Sequence, residues 1–194
     1  MEDSYKTVKN TSEGYYTDKR SKFHAFAHHV ETPEEVKQIL AGYRKKYYDA
    51  RHVCWAYRLG ADGNDYRMND DGEPSSTAGK PIYGQLLSRE LTDTAVFVVR
   101  YYGGVNLGTS GLIVAYREAT ADALDKAEVE CRLVETVIDY SFPYSMMNGV
   151  MKTVKDLQPR VVSQTFDNTC VIRLAIRQSM AEQLQERLNK LSFE

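Results

Sequence analysis

The segment Thr94–Tyr102 constrains this chain more than any other, because Ala95, Val96, Phe97, Val98 and Val99 follow one another without a polar break. A strand with one face in water alternates apolar and polar residues. An unbroken run therefore predicts a central strand covered on both faces. The turn Gly103-Gly104-Val105-Asn106-Leu107-Gly108 ends it, and a helix is predicted over residues 110–127. Leu112, Ala115, Tyr116, Ala119 and Ala123 line one side of that helix.

Other elements arrange themselves around this strand. Lys22 to Val30 reads as a strand. Thr32-Pro33-Glu34-Glu35 joins an N-cap, a first-turn proline and a capping-box glutamate, and Val36, Ile39, Leu40, Tyr43 and Tyr47 continue at helical spacing. His52 to Leu59 alternates, with Val53, Trp55, Tyr57 and Leu59 on one face and His52, Cys54, Ala56 and Arg58 on the other. Asp62-Gly63-Asn64 turns it into a return strand, Asp65 to Met68. Asn69 to Lys80 reads as an ordered loop, followed by a short helix around Ile82 to Arg89.

The remainder has its own pattern. Leu133 to Ser141 is a strand, and Ser145 is expected to cap a helix with the stripe Met147, Val150, Met151, Val154 and Leu157. Arg160 to Phe166 and Thr169 to Arg177 form a hairpin. Ser179-Met180-Ala181-Glu182 is a second capping box, opening a helix with Met180, Leu184, Leu188 and Leu191 inward. The order β-α-β-β-α is that of a split βαβ, ferredoxin-like unit, its last strand very short or absent over residues 191–194. The class is α+β in two domains, residues 1–130 and 131–194, divided at the charged stretch Asp125 to Arg132.

Composition narrows the function classes. At 42% hydrophobic and 27% charged the chain can bury a core, and a formal net charge of −2 argues against a polycation held to nucleic acid by charge alone. Residues 1–30 hold no apolar stretch of signal-peptide length, and no window has the roughly 20 apolar residues of a membrane helix. Cys54, Cys131 and Cys170 are odd in number and contain no CxxC, so no zinc site or disulfide framework is signalled. The reading is cytoplasmic, with no membrane partner and no cofactor called for.

Three segments combine glycine with charge. Asp70-Asp71-Gly72-Glu73-Pro74-Ser75-Ser76-Thr77-Ala78-Gly79-Lys80-Pro81 is no P-loop, since Pro81 stands where a magnesium-binding hydroxyl belongs. Asp70, Asp71 and Glu73 could hold a divalent ion or simply form a solvated turn. Arg100 to Gly111 is a strand, a loop bearing Gly103, Gly104, Gly108 and Gly111, and a helix start. Its amides and helix dipole suit an anion, with Arg100 and Lys80 adding charge, although glycines also serve tight turns. His52 and Cys54 share a strand face about 6.6 Å apart, too far for a nucleophile pair, so His52 reads as the wall of a cleft or as a structural residue. Tyr47-Tyr48 beside Arg44, Lys45, Lys46 and Arg51 could stack bases, or pack on a helix face. Alternating Ile172, Leu174 and Ile176 would suit a sheet used as an interaction scaffold.

Two of these runs carry a resemblance. Asp70-Asp71-Gly72-Glu73-Pro74-Ser75 with Thr77-Ala78-Gly79-Lys80-Pro81, and Val98-Val99-Arg100-Tyr101-Tyr102-Gly103-Gly104 with Leu107-Gly108, Gly111-Leu112 and Ala115-Tyr116, resemble the Impact/YigZ family. Ala50 to Tyr57 is a weaker element, and Tyr140-Ser141-Phe142-Pro143-Tyr144 is similar to the small domain of bacterial members. The resemblance implies a first domain like the second domain of ribosomal protein S5 and a second like carboxy-terminal domains of elongation factor G. It also implies a role near the translation apparatus, with the ribosome, RNA or a translation-regulatory protein as partner. Eukaryotic members restrain a kinase of initiation, a connection not carried over here. Two positions depart from the family. Ser76 stands where glycine is common, which costs little if its φ is negative, and Val114 stands where the helix often carries arginine. The expected site is a cleft between loops 70–80 and 103–111, with His52, Asp70, Asp71, Glu73, Lys80, Arg100, Gly103, Gly104, Gly108 and Gly111 binding RNA phosphate or a protein carboxylate. The alternative is an enzyme acting on a small phosphorylated or peptide substrate there.

Overall fold

The computed structural model describes residues 3–192. Its contacts divide the chain into a body of Tyr5–Arg132 and a second that runs from Leu133 onward and includes Asp3 and Ser4.

The elements of the first part are β1 (Ser4–Val8), β2 (Ser12–Asp18), β3 (Ser21–His29), α1 (Pro33–Lys46), β4 (His52–Leu59), β5 (Asp65–Asn69), α2 (Gly79–Ser88), β6 (Thr94–Tyr101), α3 (Gly108–Asp125) and β7 (Val129–Leu133). Five strands form an antiparallel sheet in the order β2-β3-β6-β4-β5. β6 is the middle strand, and its first seven residues are buried. Its apolar run is explained by the two layers on either side. On one face Ala25, Ala27, Cys54, Ala56, Val96 and Val98 meet Ile82 and Leu86 of α2 and Leu112, Ala115, Tyr116 and Ala119 of α3. On the other, Tyr57, Ala95 and Phe97 meet Val36, Ile39, Leu40 and Tyr43 of α1.

α1 starts as its sequence predicts, with Thr32 Oγ1 accepting from the Glu35 amide at 3.2 Å. The glutamate of the box reaches one residue further back than expected, to the Glu31 amide. α2 and α3 begin at Gly79 and Gly108, earlier than their apolar periodicity suggests. Strands β1, β2 and β7 carry too little apolar alternation to be predicted. β2 is a sheet edge on which α3 sits so closely that a Cβ at Gly14 would lie 2.2 Å from the Ala123 nitrogen. β7, within the stretch read as a charged boundary, pairs with β1.

The second body comprises β8 (Glu135–Pro143), a 3₁₀ turn, α4 (Met147–Leu157), β9 (Arg160–Thr165), β10 (Thr169–Arg177), another 3₁₀ turn and α5 (Ala181–Leu191). Its sheet runs β8-β10-β9, antiparallel throughout. Ile138, Tyr140, Phe142, Ile172, Leu174 and Ile176 pack beneath Val150, Leu184 and Leu188. Ile172, Leu174 and Ile176 therefore form core rather than an open docking face. Neither expected serine cap forms. Ser145 lies inside the first 3₁₀ turn, and the Ser179 hydroxyl donates to Asp3 instead. Met151, placed on the inward stripe, is exposed. Leu191 ends α5, and the last residues of the proposed terminal strand, 193 and 194, lie outside the described residues.

Candidate functional site

The loop between β5 and α2 is held by its own carboxylates. Asp70 accepts from the amides of Ser76, Ala78 and Gly79 at 3.0, 3.1 and 2.9 Å. Asp71 accepts from the Val53 amide at 2.7 Å and from Arg44 at 3.3 Å. Asp71, Gly72 and Ser76 all have positive φ, 42°, 86° and 64°. Ser76 thus occupies the left-handed region in which glycine is the unstrained residue, so the negative φ under which its presence would cost little is not met.

This folding turns Glu73 inward, leaving 1% of its side chain exposed. Arg100 and His52 are register partners on adjacent strands, so their side chains stand together on one face. Glu73 Oε1 accepts from both, from Arg100 Nη1 and from His52 Nε2 at 2.7 Å. His52 Nδ1 lies 2.6 Å from the carbonyl of Asp71. Both ring nitrogens therefore have oxygen partners. Arg100 also donates to Ser21 Oγ at 3.4 Å and lies over the Phe23 ring. Glu73 Oε2 and Arg100 Nε have no partner among the described residues.

Above this ion cluster opens a cleft of about 390 Å³, lined by Arg51, His52, Gly72, Glu73, Pro74, Arg100, Tyr102, Asn106, Leu107, Gly108, Thr109 and Leu112. The lining holds two guanidiniums and an imidazole against one carboxylate. Gly108 (φ 73°) opens α3, and no side chain caps its first turn. Free amides and the positive end of an 18-residue helix therefore meet the cleft.

Of the residues expected to bind, His52, Glu73, Arg100 and Gly108 line the cleft and the others do not. Lys80 is exposed at the start of α2, whose first residue Gly79 packs on Asn69 of β5, and it does not pair with Arg100 in the cleft wall. Asp70 and Asp71 spend their oxygens on the loop. Gly103 serves close approach, since a Cβ there would lie 2.2 Å from the Arg20 carbonyl carbon. Gly104 takes a positive φ in open space, and Gly111 faces the Leu107 side chain. Glu73 turns to Arg100 and His52 while Asp70 and Asp71 turn to backbone amides, and among the described residues no three His, Cys, Asp or Glu groups are grouped to hold a metal.

Arg51, Tyr102, Asn106 and Thr109 add polar side chains to the lining that are not among the residues expected from the sequence. The Arg51 amide donates to the Arg100 carbonyl at 2.9 Å, and its guanidinium lies 4.9 Å from the Tyr102 ring centre. Alternation of β4 extended by one residue would put Arg51 on the Val53 face, opposite His52, so periodicity carried no signal for it; it reaches the cleft because it precedes the strand, which starts at His52. Cys54 is buried, bonded to the Asp70 carbonyl and the Tyr116 hydroxyl, and burial pushes its thiol pKa up, so it is no nucleophile. Tyr43 and Tyr47 pack against Phe26 rather than waiting for bases, while Tyr48 is exposed.

The fold and the loops around this cleft place the chain among known proteins. Residues 19–124 match the Impact N-terminal domain, and the chain belongs to the Impact family. An IMPACT family member of Haemophilus influenzae is 32% identical over 90% of this chain and 85% of its own length. YvyE of Bacillus subtilis is 34% identical over 80% of this chain and 71% of its own. A crystal structure described only as that of a hypothetical protein shares the fold with a TM-score of 0.75, at 27% identity over 99% of this chain and 94% of the other.

Proposed function

We propose that this chain is a cytoplasmic binding protein of the translation apparatus whose first body takes an RNA backbone phosphate in the cleft over Glu73. One observation carries the reading. Arg51, Arg100 and His52 converge with the uncapped start of α3, and among the described residues Glu73 is the one carboxylate lining the space. An anion entering there meets fixed positive charge and oriented amides, with Arg51 exposed enough to close on it. The family resemblance supplies the link to translation. In this reading the first body is like the second domain of ribosomal protein S5. The second, with its order β8-β10-β9, is a split βαβ unit of the ferredoxin type.

The test is binding of fluorescent transfer RNA and ribosomal RNA fragments across a salt series. Wild type is expected to bind with a log–log salt slope that Arg51→Ala reduces by about one contact. Lys80→Ala should leave the slope unchanged. Absence of salt-sensitive binding, or an equal effect of both variants, overturns the cleft as an RNA site.

A further inference from the structure

β4 presents its other face to a second, separate recess. It is a groove of about 240 Å³ between α1 and the sheet margin, lined by Val36, Lys37, Leu40, Trp55, Tyr57 and Arg67 with neighbours including Met68 and Asn69. Its apolar floor includes the parallel rings of Trp55 and Tyr57, with centres 5.8 Å apart. Its wall is β5, the last strand of the sheet, all five of whose residues are exposed. An antiparallel edge strand uses only alternate amide and carbonyl groups on its neighbour and turns the rest outward. Among the described residues, the backbone of β5 bonds to no element other than β4.

We infer that this groove receives an extended, acidic segment of a partner protein, added as a strand beside β5. An unpaired edge next to an apolar trough is the arrangement by which strand addition combines main-chain bonds with side-chain pockets. Lys37 and Arg67 are the charged residues of the lining, and both are cations. The added strand accordingly carries carboxylates flanking an aliphatic or aromatic anchor that enters the trough over Trp55. A second copy of this chain is the poorer occupant. Arg67 is the central residue of β5, so a two-fold pairing of two such edges sets Arg67 against its own copy. The length of β5, about 17 Å at strand rise, gives five residues of main-chain pairing.

The probe is a heptapeptide alternating glutamate with leucine and valine, compared with a twin carrying lysine for glutamate and with a version N-methylated at alternate amides. Trp55 is the single tryptophan and lines the groove, so its fluorescence reads occupancy directly. The acidic peptide is expected to bind at least tenfold more tightly than the lysine twin and to lose binding on N-methylation of its pairing edge. The surface variant Lys37→Glu with Arg67→Glu should reverse the preference, and Arg51→Ala should leave it intact, separating this groove from the RNA cleft. Equal binding of both peptides, no response to either, or indifference to N-methylation overturns the inference. A dimer in sedimentation that the peptide dissociates also overturns it, by placing a second copy on the edge.

Discussion

Removing the Glu73 carboxylate tests whether the ion cluster beneath the cleft is closed to water. Glu73 accepts from Arg100 and His52 with its side chain 1% exposed, and that of Arg100 is 7% exposed. In Glu73→Ala the guanidinium stays buried with only the long contact to Ser21 and the neighbouring rings of Phe23 and Tyr102. Stranding a buried charge in this way costs about 3–5 kcal/mol. Glu73→Gln keeps the shape and one acceptor, and should cost about 2 kcal/mol, the range of a lost charge-assisted hydrogen bond. Combining Glu73→Gln with Arg100→Met should be less damaging than the sum of the single changes by about 1 kcal/mol or more, because the second change removes the orphaned charge. Urea unfolding followed by Trp55, which lies in the first body, isolates that body from the second. The Glu73→Ala midpoint should fall by about 2 M. A loss under about 1 kcal/mol, the size of an exposed pair such as Lys9–Glu128, would refute the reasoning, because it would mean that water reaches the cluster.

Ser76→Gly relieves a left-handed backbone worth about 1–2 kcal/mol to an L-residue, against about 0.5–1 kcal/mol of added chain entropy. A net gain of about 0.5–1 kcal/mol should appear in the same unfolding assay, and a glycine variant no more stable than wild type would count against the strain. Burial holds the pKa of His28 below its ordinary 6.5, and that of His24 likewise, foremost by burial. Below pH 6.5 the unfolded chain therefore takes up protons that the folded chain refuses. Stability falls with pH there, and His28→Gln should flatten that slope before the carboxylates titrate near ~4.

Much of the architecture is legible in local pattern. The apolar run of β6 records burial on both faces. Thr32-Pro33 fixes the start of α1 through a bond within one turn, and Thr169–Arg177 appears as β10 with its predicted ends. The misses share a cause. β1, β2 and β7 owe their strand state to partners rather than to their own alternation. Ser145 and Ser179 look like caps until the backbone around them tightens into 3₁₀ turns. Within the site, the two glycine-bearing loops are conspicuous by composition, but composition treats Asp70, Asp71 and Glu73 as three equal acids. The structure sends two of them to backbone amides and one into the core.

The chain's own periodicities determined most of its strands and helices, β1, β2 and β7 excepted, and its two glycine-rich motifs marked where family membership and the cleft would be found. Only the tertiary structure decided that Lys80 leaves the cleft, that Arg51 enters it, and that Arg100 is neutralised by an acid 27 residues away. Periodicity reports the burial a residue experiences, which depends on near neighbours along the chain. The pairing of His52 with Arg100 and the descent of Glu73 between them depend on strand register and loop path, which only long-range contacts set.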